Sequence, residues 1–563
     1  MNRIIQIMPL LLLWIMAACS QPADQQQRPE DTNQTNPAQT TMDNSMKTVE
    51  PSAISTPTVN SAAVVERQRR AANKQQMLFT RSMPAALQAG PPNWNRESYN
   101  AVHENGFITT SHDSLSTFSI DVDTASYANI RRFLRDSRLP PVGAVRIEEM
   151  INYFSYDYPQ PTGNHPFSVT TELGPCPWNQ KHQLVRIGLK AKDMDKNDLP
   201  PSNLVFLIDV SGSMQAANKL PLLKKAMTML VKQLDARDRA AIVAYAGQDR
   251  VVLEPTPGSE QKKIITAIES LGAGGATHAS SGIRTAYKLA RQAYMPKGNN
   301  RIILASDGDF NVGVTSRGEL ERLIEEKRKS GIYLSVLGFG MGNYHDDTME
   351  ILADKGNGNY SYIDSLLEAK KVMVKEMSGT LFALARDVKI QVEFNPAQVA
   401  AYRLIGYENR TLADEDFNND KKDAGEIGVG HTVTALYELI PAGAQDVPVV
   451  DPLKYQQTKP TGNHVDEIMT VKLRYKPLHQ KSSVLMDTVV HKADRQTNLS
   501  ATSTDFRFAA AVAGFGMLLT DSEYSGDLNY DSIISLARSA KGADRNGYRA
   551  ECVQLMETAQ MLD

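Results

Sequence analysis

The chain has 563 residues, too many for one hydrophobic core, so several domains are expected. It is 41% hydrophobic and 22% charged, a globular composition. Its formal net charge is −3 and its Lys and Arg residues form no basic tract, which argues against a nucleic-acid-binding surface.

The N-terminus reads as a targeting segment. Arg3 supplies the positive charge and the apolar run 4–16 is too short to span a bilayer. Met16-Ala17-Ala18-Cys19 then resembles a bacterial lipobox. Residues 1–18 are therefore expected to be a signal peptide, with Cys19 the lipidated first residue of the mature chain. Met16 stands where Leu is usual, so a plain signal peptide is the alternative. Ser20 in place of Asp implies, on the same resemblance, an outer-membrane lipoprotein in the envelope of a Gram-negative-type bacterium. Residues 20–63 are rich in Gln, Pro, Thr, Asn and Ser, with no aromatic residue, and cannot build a core. The stretch 19–112 is expected to be a disordered tether, with one helix conceivable at 62–79. About 90 flexible residues reach roughly 50–55 Å.

Folded structure is expected from residue 113. Residues 113–166 read as mostly helical. A strand at 116–120 leads to a helix over 125–134, which Asp123 or Thr124 can cap. A second helix at 147–154 follows the Pro140-Pro141 break. Within 167–202, the stretches 167–173 and 183–189 are strand-like. Cys176 and Cys552, left over once Cys19 carries lipid, either form one disulfide or stay as two buried thiols.

Residues 203–384 alternate strand and helix. Apolar strands fall at 204–210, 240–246, 301–305 and 333–339, with helices at 219–234, 282–293 and 318–330. This predicts an α/β unit, a doubly wound, mostly parallel, Rossmann-like sheet. Residues 385–495 alternate with period two at 388–394, 432–438 and 468–475, an antiparallel β region. Helices at 506–519, 531–540 and 546–561 fill the C-terminal part, 496–563. Strand-like segments on both sides of the α/β unit predict one β-sandwich, built from 167–190 and 387–494, into which the α/β domain is inserted.

The chemistry gathers at strand ends. Asp209, Ser211 and Ser213 follow the buried run 204–208, and Gly212 lets the chain turn between them. Leu271-Gly272-Ala273-Gly274-Gly275-Ala276-Thr277 delivers a hydroxyl just before a helix. Ile302-Ile303-Leu304-Ala305-Ser306-Asp307 ends another buried strand in a carboxylate. One such loop alone reads as a helix N-cap; three at matching strand ends read as one site. Oxygen-only donors suit Mg²⁺, Ca²⁺ or Mn²⁺, not zinc.

These residues resemble a von Willebrand factor type A (VWA) domain with a metal-ion-dependent adhesion site, Mg²⁺ being its usual ion. Asp238-Arg239-Ala240-Ala241-Ile242-Val243 and Gly338-Phe339-Gly340 also fit. The resemblance implies that Ser211 and Ser213 bind the cation directly and that Thr277 binds it directly or through water. It implies that Asp209 and Asp307 hold the metal's waters and orient the hydroxyls. From residue 114 on, the chain is similar to bacterial lipoproteins often labelled calcium-activated chloride channel homologues. Arg146-Ile147-Glu148-Glu149-Met150-Ile151-Asn152-Tyr153-Phe154 and Asp423-Ala424-Gly425-Glu426-Ile427-Gly428 carry this likeness. The channel label fails on physics, since no segment could line a membrane pore.

A divalent cation held by mostly neutral ligands stays electropositive and keeps an open position. A partner protein's Asp or Glu would fill it. The expected function is thus metal-dependent protein binding, not catalysis. A metal-assisted hydrolase and a scaffold whose metal only supports the fold are the alternatives. The G-x-S-x-G elbow is missing, and His278 is the only histidine near the motif residues. Asp121-Val122-Asp123-Thr124-Ala125 misses the D-x-D-x-T phosphatase pattern at its last place. The acidic stretch 414–423 lacks EF-hand spacing and reads as a solvated loop. Asp346-Asp347 read as the cap of a helix running to Ala353.

Overall fold

The computed structural model describes residues 97–274, 279–308, 317–448 and 464–563. The expected signal peptide, Cys19, the expected helix at 62–79, the tether up to residue 96 and Thr277 lie outside these residues.

The chain is ordered earlier than its composition suggests. Glu97 pairs with Arg132 at 2.8 Å, and Ser98 makes a parallel bridge to His345. Strand β1 (Ile108–Thr109) follows, so residues 97–112 belong to the fold and the expected tether boundary at 112 is corrected. These contacts are an ion pair and backbone pairings of a polar segment, which hydropathy does not register. Strand β2 (Leu115–Ser119), helices Ala125–Arg135 and Ile147–Asn152, and the hairpin β3 (Phe167–Cys176) and β4 (Asn179–Ala191) come next. Thr124 is the N-cap of the first helix but makes no side-chain cap bond. Asp123 does not cap it either: its carboxylate accepts from the Tyr360 N–H at 2.8 Å.

The α/β unit is a six-stranded sheet of β5 (Ser202–Asp209), β6 (Arg239–Tyr245), β7 (Asp249–Pro257), β8 (Asn299–Ser306), β9 (Tyr333–Phe339) and β10 (Tyr360–Ile363). The order is β10-β9-β8-β5-β6-β7, parallel throughout except for β7 on β6. This is the doubly wound, VWA-type arrangement. Every residue of β5 is buried, because both faces are covered. Leu204, Phe206 and Ile208 enter the core under helices Leu220–Val231 and Gln261–Glu269. Val205 and Leu207 enter the opposite core, with Ile283 and Ala286 of helix Ala279–Gln292 and Leu352 of helix Asp346–Lys355. Strands β7 and β10 were not expected: β7 is an edge strand with only two buried residues and β10 has only four residues.

The remaining strands are β11 (Ala383–Phe394), β12 (Val399–Ile405), β13 (Ile427–Gly428), β14 (Thr432–Pro441), β15 (Glu467–Pro477) and β16 (Val484–His491). One sheet runs β1-β12-β14-β4-β3; the other runs β13-β11-β15-β16 with β2 also on β11. Val185, Ile187 and Tyr437 from the first share one core with Ile390, Val392 and Leu473 from the second. The Phe394 and Tyr402 rings stack across it at 4.1 Å. Two antiparallel sheets thus form a sandwich, and the α/β unit is inserted between β4 and β11. Leu184 and Leu436 point the other way, into a helical core with Phe508 and Met517 of helix Thr504–Leu519. Helices Tyr530–Ser539 and Tyr548–Leu562 complete it.

Cys176 and Cys552 are free and buried in that helical core, so the disulfide reading is corrected. Apolar packing satisfies both side chains, and burial pushes both thiols up, Cys552 to about 12. The acidic stretch 414–423 is also not simply solvated. Lys389 donates to the carbonyls of Asp416 and Asn419 at 2.9 and 2.7 Å, and Arg474 to the Asn418 side chain at 2.8 Å. Asp346 starts its helix but is fully buried, held by Arg146 at 2.5 Å. Among the described residues no helix is long and apolar enough to cross a membrane.

Candidate metal centre

Parallel strands of a doubly wound sheet open their carboxyl ends to one edge, and helix N-termini face it. Asp209 is the last residue of β5, and Asp307 directly follows its neighbour β8. The backbone then gathers the loops. Val210 donates to the Tyr245 carbonyl at 3.0 Å, and its own carbonyl accepts from the Gly274 N–H at 2.7 Å. That second bond draws the glycine-rich loop against the 209–213 turn. Met214 is fully buried and anchors the 3₁₀ turn Gly212–Gln215.

Asp209 is wholly buried. Its Oδ1 accepts from the Ser211 N–H at 2.9 Å and its Oδ2 from the Ser306 hydroxyl at 2.9 Å. Burial pushes its carboxyl up to about 6, against the lowering effect of the Ser211 and Ser306 hydrogen bonds; Asp307 nearby pushes the same way as burial. The Ser211 and Ser213 hydroxyls are 2.9 Å apart, with Ser211 buried and Ser213 exposed. Asp307 is 1% exposed. The turn after it is tight: Gly308 has φ +84°, and a Cβ there would lie 2.7 Å from the His345 nitrogen.

Four of the five expected ligand residues, Asp209, Ser211, Ser213 and Asp307, therefore stand at adjoining loops of one sheet edge. The fifth, Thr277, is outside the described residues, and helix Ala279–Gln292 begins just after it. Two residues without an expected role join them. Ser306, inside the quoted strand motif, hydrogen-bonds both Asp209 and the Gly308 N–H. Lys219, read only as a helix start, places Nζ 2.8 Å from Asp307 Oδ2.

The donor chemistry fits a hard cation. Paired hydroxyls and buried carboxylates are all oxygen. Among the described residues no three His, Cys, Asp or Glu side chains converge as a metal cluster. Any cation here would lean on Ser211 and Ser213, which suits Mg²⁺, Mn²⁺ or Ca²⁺ and not zinc. Among the described residues no histidine hydrogen-bonds either serine.

Three family models match the chain. They are the von Willebrand factor type A domain over residues 203–375, a von Willebrand factor model over 93–186, and the C-terminal model of the uncharacterized protein YfbK over 379–562. The uncharacterized protein YfbK of Escherichia coli (strain K12) is 43% identical over 470 residues, covering 82% of this chain and 80% of that protein. Inter-alpha-trypsin inhibitor heavy chain H4 of Sus scrofa is 29% identical over 148 residues, 25% of this chain and 16% of that one. The solved von Willebrand factor type A protein from Catenulispora acidiphila is 16% identical, covers 69% of this chain and 90% of its own, and has a TM-score of 0.40.

Proposed function

This chain belongs to the YfbK family and carries a VWA domain, and we propose that it is an envelope lipoprotein that binds a partner protein through a divalent cation. The observation that carries this is the Asp209–Ser211–Ser213 turn beside Asp307. Two hydroxyls 2.9 Å apart face each other over a fully buried carboxylate. Neutral hydroxyls cancel little of a cation's charge. An Asp or Glu side chain from the partner would complete the coordination, so binding would require the metal. Lipid anchorage rests on Met16-Ala17-Ala18-Cys19 alone.

The catalytic alternative has less support. A metal-activated water needs a base to accept its proton. Among the described residues no histidine hydrogen-bonds Ser211 or Ser213 to serve as that base.

The test is calorimetry of Mg²⁺ and Mn²⁺ with the wild-type chain and Asp209→Ala, followed by capture of partners with and without chelator. Asp209→Ala should lose metal binding and chelator should release the partner. Unchanged cation binding in Asp209→Ala would sink the site.

A further inference from the structure

Lys219 is the N-cap of helix Leu220–Val231, yet its side chain does not run out to solvent. It is 8% exposed, and its ammonium ends 2.8 Å from Asp307 Oδ2. Its stem crosses Gly340, in the loop after β9. Gly340 has φ +85°, and a Cβ there would lie 2.2 Å from the lysine Cε. Three loops of the metal edge therefore agree on this side chain. One starts it, one leaves a groove for its stem, and one receives its charge.

A buried lysine loses rotamer freedom and hydration, so a fixed anion must hold it there. Asp307 does so. Among the described residues of the site, two carboxylates, Asp209 and Asp307, against one ammonium leave a single negative charge. A divalent cation reverses that to a single positive charge. Without the lysine, the empty edge would be more negative and the loaded edge neutral.

We propose that Lys219 is a positioning residue and built-in counter-cation of the metal centre. It holds Asp307 at the site edge, weakens binding of the divalent cation, and keeps the loaded site net positive so that an anionic ligand is drawn to it. This deepens the metal reading above and rests on it. Like-charge repulsion across a few ångströms of protein is large enough to matter for a divalent ion.

The test uses the full chain stripped of metal and titrated with Mn²⁺ by calorimetry. Wild type, Lys219→Met and Lys219→Arg are compared. Lys219→Met should bind Mn²⁺ on the order of tenfold more tightly. Lys219→Arg should stay within about threefold of wild type, because it keeps the charge. Acetate titrated into the Mn²⁺-loaded proteins should bind Lys219→Met more weakly than wild type. A lysine that only supports the fold would leave Mn²⁺ affinity unchanged or lower it on removal, and either result overturns the proposal. So does Lys219→Arg behaving like Lys219→Met. If Lys219→Met does not fold, Lys219→Gln makes the same comparison, and failure of both to fold makes the lysine structural and overturns the proposal. Absence of Mn²⁺ binding by wild type overturns the metal reading itself, an outcome distinct from wild-type binding that Lys219→Met leaves unchanged.

Discussion

Single side chains in this protein are set by where the backbone buries them. Asp209 and His431 show the two directions. Burial raises the aspartate carboxyl to about 6, where an incoming cation would supply the charge that water no longer does. Burial, with Lys371 and Lys190 adding positive charge, lowers the His431 ring to about 4. Its Nδ1 is buried with no hydrogen-bond partner. The folded ring is thus neutral over a range where the unfolded ring takes up a proton. Between pH 6.5 and 4 the unfolded chain binds more protons, so this group's stability is present above 6.5 and is lost as pH falls. The loss from pH 7 to 5 should be about 2 kcal/mol. Because the buried carboxyls of Glu426, Glu350 and Asp209 are pushed up and respond in the opposite direction, that loss should be read by denaturant unfolding as the change between pH 7 and 5 in the difference between wild type and His431→Gln. Equal responses would mean that the ring is not held neutral. Asp209, Ser211, Ser213 and Asp307 were legible as candidate ligands because spacing and a preceding apolar run suffice to mark them. Lys219 was not, since nothing in local sequence says that a helix-start lysine folds back over Gly340.

At the level of elements, the motifs that look functional in sequence divide in two. The strand ends at Asp209 and Asp307 are chemical. Arg146-Ile147-Glu148-Glu149 and Asp423-Ala424-Gly425-Glu426 instead dock the α/β unit onto the sandwich. Arg146 pairs with Glu149 of its own helix and with Asp346 of helix Asp346–Lys355. Gly425 leaves no room for a side chain, since a Cβ would lie 2.4 Å from the Ile120 carbonyl oxygen. Glu426 accepts from Asn357, and Asp423 pairs with Arg328 at 2.5 Å. The Arg146 pairs are deeply buried; such pairs add little net stability, but losing one partner strands the other. Arg146→Met should therefore cost about 3–5 kcal/mol by leaving two buried carboxylates unpaired. A urea midpoint within error of wild type would show that Asp346 and Glu149 find other partners. Periodicity placed the main strands and helices, but it passed over the short buried β10, the buried β12 and helix Gln261–Glu269. It failed for β7, whose exposed edge carries no apolar pattern, and for β1, only two residues long.

For the whole molecule, the insertion is the main architectural fact. The chain builds half a sandwich, leaves it after β4 to make the complete α/β domain, and returns at β11 to finish the sandwich. The described chain starts beside the candidate metal edge. Ser98 bridges His345, whose backbone nitrogen also abuts Gly308 next to Asp307. If Cys19 carries lipid, the chain should partition with membranes and label with palmitate. Cys19→Ala should lose the label and enter the soluble fraction; retention of both would remove the lipoprotein reading. By itself the sequence determined the α/β repeat, the ligand loops and the period-two β region. Those signals are local: an apolar strand, a turn and a donor lie within a dozen residues. Only the tertiary structure decided that the two cysteines stay apart, that the acidic stretch 414–423 is bound to the sandwich, and that a lysine shares the candidate metal edge. Each of these depends on residues far apart in the chain meeting in one place, and no local pattern encodes that meeting.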